Sequence, residues 1–143
     1  RVSWHDRPEP ATTEGRMIDH IELWVSDLGR SRAFYDAALA PLGIRILKEV
    51  GPESGRGSHL GYGRTEPAFW IGISQPAGGP VHVAFAAPDR ATIADFHAAA
   101  LAAGGRDNGR PGPRPEYHPG YYGAFVLDPD GNNIEAVFHG DHP

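Results

Sequence analysis

The chain has 143 residues, 40% hydrophobic and 22% charged, a balance that suits one globular domain with its own core. A net charge of −5 and a pI near 5.9, with the basic residues scattered, argue against nucleic acid as a partner. No run is apolar enough for a membrane span or a signal peptide, and cysteine is absent, so neither a disulfide framework nor a thiolate nucleophile is available; a cytoplasmic location is expected.

Residues 1–16 carry two prolines among charges and show no periodicity, which predicts a flexible leader ahead of a single domain over 17–143. From Ile18 to Val25, His20, Glu22 and Trp24 alternate with Ile21, Leu23 and Val25, a strand pattern. Asp27 then caps a helix whose apolar positions Phe34, Tyr35, Ala38 and Leu39 run to a stop at Gly43. Strands are predicted over 44–50, 58–63, 68–74 and 81–86, and Asp89 caps a second helix with Ile93, Phe96, Ala100 and Leu101 inward. Residues 106–120 are rich in proline and glycine, with at most a short strand at their start. They read as a lid or binding loop. Asp128-Pro129-Asp130-Gly131 is a tight turn between two strands and closes a β-hairpin, with Glu135 mid-way along the second strand.

The two halves repeat. At a constant offset of 62, His20 maps to His82, Asp27 to Asp89, Phe34 to Phe96 and Gly43 to Gly105. The last strands correspond at an offset of 65, which lays Trp70 over Glu135. The order of elements predicts an α+β fold of two tandem β-α-β-β-β modules, about 17–75 and 80–140.

The motifs IDHIELWVSDLGRSRAFYDAALAPLG, PVHVAFAAPD and LDPDGNNIEAV resemble the vicinal oxygen chelate superfamily, which includes glyoxalase I, bleomycin-resistance proteins, fosfomycin-resistance transferases and extradiol dioxygenases. The resemblance covers Met17 to about His139. It implies that the modules pair into a cupped mixed sheet around one divalent metal ion. Carried over residue by residue, the metal positions fall on His20, His82 and Glu135, with Trp70 at a fourth. Two imidazoles and one carboxylate suit Fe, Mn, Co, Ni or Zn as the cofactor, with positions left open for substrate oxygens. Trp70 cannot ligate, because the indole nitrogen only donates. Glyoxalase I has a carboxylate there, so the departure points away from its isomerisation and toward dioxygenase-like or lyase-like chemistry.

The remaining candidates are read from the residues. Glu22 shares a strand face with His20, as a support to the metal set, an alternative ligand or a rim residue. Tyr117, His118, Tyr121 and Tyr122 cluster at the end of the Pro/Gly stretch. Of these, His118, Tyr121 and Tyr122 are catalytic candidates, and all four, with Trp24 and Trp70, are candidate pocket residues. His59 is expected to be exposed and His97 structural. A small-molecule substrate is the expected partner, with a homodimer left open. The rival functions are a protein that sequesters a drug or metabolite without catalysis, a glyoxalase I-like isomerase and a fosfomycin-type transferase.

Overall fold

A computed structural model describes residues 18–140 of the protein; the leader expected over 1–16 lies outside them, as does His142. Within the described residues the order is β1 (Ile21–Trp24), α1 (Leu28–Leu39), β2 (Arg45–Val50), β3 (His59–Gly63), β4 (Phe69–Gly72), then β5 (His82–Ala86), α2 (Arg90–Ala102), β6 (Arg106–Pro113), β7 (Tyr122–Leu127) and β8 (Asn133–Phe138). This is the predicted tandem β-α-β-β-β architecture. Each module is a four-stranded mixed sheet, ordered β1-β4-β3-β2 and β5-β8-β7-β6, in which the first strand runs parallel to the last.

Both helices begin as the sequence predicts. The Asp27 side chain accepts from the Arg30 amide at 3.0 Å, and that of Asp89 from the Thr92 amide at 2.8 Å. The bond to Thr92 holds the Asp89 carboxyl below its usual range. The first helix tightens into a 3-10 turn over Ala40–Leu42 and stops at Gly43, whose φ of 74° is left-handed.

One expectation fails. The Pro/Gly stretch is not a free loop over its first half: Arg106–Pro113 forms β6, paired with β7. Proline is tolerated there because β6 is an edge strand, and the register slips at Gly109 and again before Gly112 absorb what the ladder cannot. The span left as loop is short and tied across its base, with the Arg114 amide donating to the Tyr121 carbonyl at 2.8 Å.

One hydrophobic core serves both modules. Phe34, Tyr35, Ala38 and Leu39 of α1 and Ile93, Phe96 and Ala100 of α2 are buried with inward residues of both sheets. An aromatic chain crosses the junction: Tyr35 meets Phe69 at 5.0 Å and Phe69 meets Phe85 at 5.1 Å between centroids. Arg64 adds a polar staple, donating to the carbonyls of Leu42 and Ala86.

The DPDG turn is itself a joint between modules. Asp128 is buried and accepts from the amides of Asp130 and Asn132, from the Asn132 side chain, and from the Tyr35 hydroxyl of α1 at 2.5 Å. Asp130 in turn receives the Ser26 amide. Burial, and then the Asp128 charge, push the Tyr35 phenol well above its ordinary value, so it stays a donor. We expect Tyr35→Phe to keep the fold and lose about 1–3 kcal/mol in urea denaturation, because the ring still packs while a buried carboxylate loses a donor. A loss under about 0.5 kcal/mol would mean that the remaining donors suffice.

Candidate functional site

The sheet faces turned away from the helices carry two separate clusters. In the second module, His82 opens β5 and Glu135 stands mid-strand on β8, whose register partner is Ala84. His82 Nε2 and Glu135 Oε1 lie 2.8 Å apart. Glu135 is 1% exposed, and the Tyr121 hydroxyl donates to its other oxygen, Oε2. Burial, followed by that bond and the Glu135 charge, raises the Tyr121 phenol above its ordinary value. Phe125, directly across from Glu135, places its ring 6.0 Å from that of His82. Among the described residues no lysine or arginine pairs with this buried carboxylate.

Beside it, His118 Nδ1 donates to the Pro119 carbonyl, and its Nε2 meets His139 Nδ1 at 2.9 Å, with the rings stacked. Tyr121 lies edge-on to both imidazoles and to the exposed Tyr117. Tyr122 faces the other way. Alternation along β7 turns its ring to the core, where the Arg90 guanidinium sits 5.0 Å above it.

In the first module, a concavity of about 1020 Å³ is lined by His20, Glu22, Trp24, His59 and Trp70 among others. His20 is exposed just ahead of β1 and contacts Asp19 at 2.7 Å. Glu22 is no bare rim residue: its carboxylate reaches His59 Nδ1 at 2.5 Å, while His59 Nε2 meets the Arg56 carbonyl at 2.6 Å. Acceptors on both ring nitrogens require an imidazolium. Burial works against that charge, but the bonds to the Arg56 carbonyl and Glu22 outweigh it and raise the His59 pKa. The contact is possible because Gly72 lies beneath it; a Cβ there would stand 2.7 Å from His59 Nδ1 and 2.9 Å from Glu22 Oε2. His97, expected to be structural, pairs with Asp107 at 2.9 Å.

The structure therefore joins His82 to Glu135 and leaves His20 on the other sheet. Among the described residues of one chain, no group of three His, Asp or Glu side chains converges to hold a metal ion. The sequence reading missed the His59–Glu22 pair, since nothing local to either residue signals it; the alternation that puts both on one sheet face was the available clue.

A family model for the Glyoxalase/Bleomycin resistance protein/Dioxygenase superfamily matches residues 17–136. The chain belongs to that superfamily. It is similar to a glyoxalase/bleomycin resistance protein from Albidiferax ferrireducens T118, with 35% identity and a TM-score of 0.69, over 85% of this chain and 97% of that one. Glyoxalase I from Zea mays shares the fold, at 24% identity and a TM-score of 0.62, over 88% of this chain but 46% of its own length. A family member from Burkholderia phytofirmans PsJN matches at 20% identity and a TM-score of 0.60, over 83% of this chain and 95% of that one. No curated protein matches.

The His59 shift carries a sign. A pKa raised by folding stabilises fully below the unfolded value of 6.5 and is lost as pH rises through the folded value. Stability in urea should therefore fall as pH climbs past 6.5, and Glu22→Gln should flatten that fall. An unchanged slope in Glu22→Gln would dissociate His59 from this pair.

Proposed function

We propose that this superfamily member is a divalent-metal-dependent enzyme acting on a small substrate that chelates through vicinal oxygens, by dioxygenase-like or lyase-like chemistry. The observation that carries the reading is the buried Glu135 carboxylate, 2.8 Å from His82 and with no lysine or arginine paired to it among the described residues. Two ligand atoms about 2.1 Å from one ion at right angles stand about 3 Å apart, so the pair fits a shared cation. The residue types fit as well: imidazole nitrogen and carboxylate oxygen suit Fe, Mn, Co, Ni or Zn. Such an ion supplies Lewis-acid polarisation of bound substrate oxygens.

This chain's own residues do the rest. Tyr121 holds Oε2 with its hydroxyl proton and so turns Oε1 toward His82. Phe125 keeps water from one flank. Trp70 occupies the register position in the first module that Glu135 occupies in the second, and contributes indole surface in place of a second carboxylate. Tyr121 is a positioning residue here, while Tyr122 packs against the core.

The third ligand, His20, is best supplied by a second copy of the chain. Both β1 and β5 are edge strands of their sheets. Exposed apolar side chains flank the histidine at the start of each: Ile18 and Ile21 beside His20, and Val81 beside His82. Open apolar edges call for a partner strand. Joining β1 of one copy to β5 of the other would complete a cup twice per dimer and bring His20 to His82 and Glu135.

Elemental analysis of protein purified without chelators, followed by an oxygen-uptake screen with catechols, tests the enzyme reading. His82→Ala and His20→Ala should each lose stoichiometric metal. After unfolding and joint refolding of equal amounts of the two variants, about a quarter of the sites should regain it, since half the dimers are mixed and each restores one of two sites. Full metal in His82→Ala would overturn the ligand set. No recovery on mixing would place all ligands within one chain. A cup that takes up no divalent ion would belong to a drug- or metabolite-sequestering protein.

A further inference from the structure

The concavity of the first module has a polarity that the metal reading does not use. Its two carboxylates are occupied, Asp19 with His20 at 2.7 Å and Glu22 with His59 at 2.5 Å. Lys48 and Arg56 line the same space, and the side chain of neither has an ion-pair or hydrogen-bond partner among the described residues. The Arg56 backbone is held on both sides, its amide by the Ser54 hydroxyl at 3.1 Å and its carbonyl by His59 at 2.6 Å. Trp24 and Trp70 supply indole surface to the same lining. Trp70 lies close over bare Gly61, where a Cβ would stand 2.8 Å from the ring, and Trp24 meets His59 edge-on at 5.7 Å.

We propose that this concavity takes an organic anion, with a flat unsaturated body against Trp24 and Trp70 and a carboxylate directed to Arg56 and Lys48. The guanidinium fork matches a carboxylate, and an indole face suits a planar body. A cationic ligand would find both wall carboxylates already engaged by histidines, and a neutral one would leave the two cations unused. The sheet order β1-β4-β3-β2 also sets a length. His20 precedes β1, Arg56 precedes β3, and Lys48 lies on β2, so two to three strand spacings separate the histidine from the cations, on the order of 10–14 Å. The anionic group therefore sits remote from the chelating end, on a body longer than one six-membered ring. This substrate class rests on the cup being the substrate site, and its test does not require a metal.

The probe is naphthalene-2-carboxylate, titrated into chelator-treated protein and followed by tryptophan fluorescence, beside naphthalene-2-carboxamide and 2-naphthylmethylammonium. The carboxylate should bind about tenfold or more tighter than the amide, the ammonium weakest, and the preference should shrink as salt is added. Arg56→Gln combined with Lys48→Gln should erase the preference and leave amide binding unchanged, with circular dichroism confirming the fold. Equal binding of carboxylate and amide to the unmodified chain would overturn the proposal, as would a preference surviving in the double variant. The same titration on His82→Ala, beside its metal content, separates the two readings: full metal retained with the anion preference intact would fault only the ligand set, and metal lost in that variant with no anion preference in the unmodified chain would fault only this subsite.

Discussion

The buried carboxylate of Asp128 is the constraint on which the arrangement of the two modules depends. It is 5% exposed and no cation among the described residues balances it; two backbone amides, an asparagine amide and a phenol do so instead. A buried charge with four donors is tolerable, but each donor lost leaves it more costly. Because one donor is Tyr35 of α1, the chain cannot satisfy Asp128 without docking the first module on the second. Asp130 reinforces this by accepting the Ser26 amide just ahead of the same helix. The turn thereby fixes where β8 begins, and with it the position of Glu135, two residues into that strand.

The fold was legible because duplication writes it twice. An offset of 62 between first strands and 65 between last strands implies that Trp70 and Glu135 are equivalent, and the registers Glu22 with Trp70 and Ala84 with Glu135 agree. Caps are equally local, and Asp27 and Asp89 act as their sequence positions indicate. What stayed hidden was non-local. β6 was obscured because Pro111, Pro113 and its glycines oppose strand formation in isolation, and only the edge position accommodates them. The His59–Glu22 contact joins residues on strands separated by β4 and depends on Gly72 having no side chain. Tyr121 and Tyr122 are adjacent in sequence, yet one reaches Glu135 and the other the core. Repeat equivalence of His20 and His82 likewise says that they are alike, not that they meet within one chain.

The duplicate sheets have diverged by trading bulk across strands. In the first module Gly61 faces Trp70 and His59 faces Gly72; in the second Phe125 faces Glu135 and Gly123 faces Val137. Each large side chain lies opposite or beside a bare position. A Cβ at Gly61 would stand 2.8 Å from Trp70, while at Gly123 it would meet Glu135 Oε2 at 3.3 Å. The sites of both modules are thus carved by glycines at alternate points of one template. The first gains a broad aromatic floor and the second a shielded carboxylate.

That divergence leaves each half electrostatically incomplete in opposite senses. The second module holds a carboxylate, 1% exposed, that among the described residues His82 and Tyr121 address. The first has its acids engaged by His20 and His59, with Lys48 and Arg56 lining the same space. A charge buried so fully costs more as solvent is excluded, so a lone second module is poorly served by further closure. Closure over a metal reverses the balance, since the ion's charge then acts in a medium that screens it less. A first-module face with surplus positive charge at its far edge would not compete with that ion for Glu135, and would draw an anionic ligand across the cup toward it.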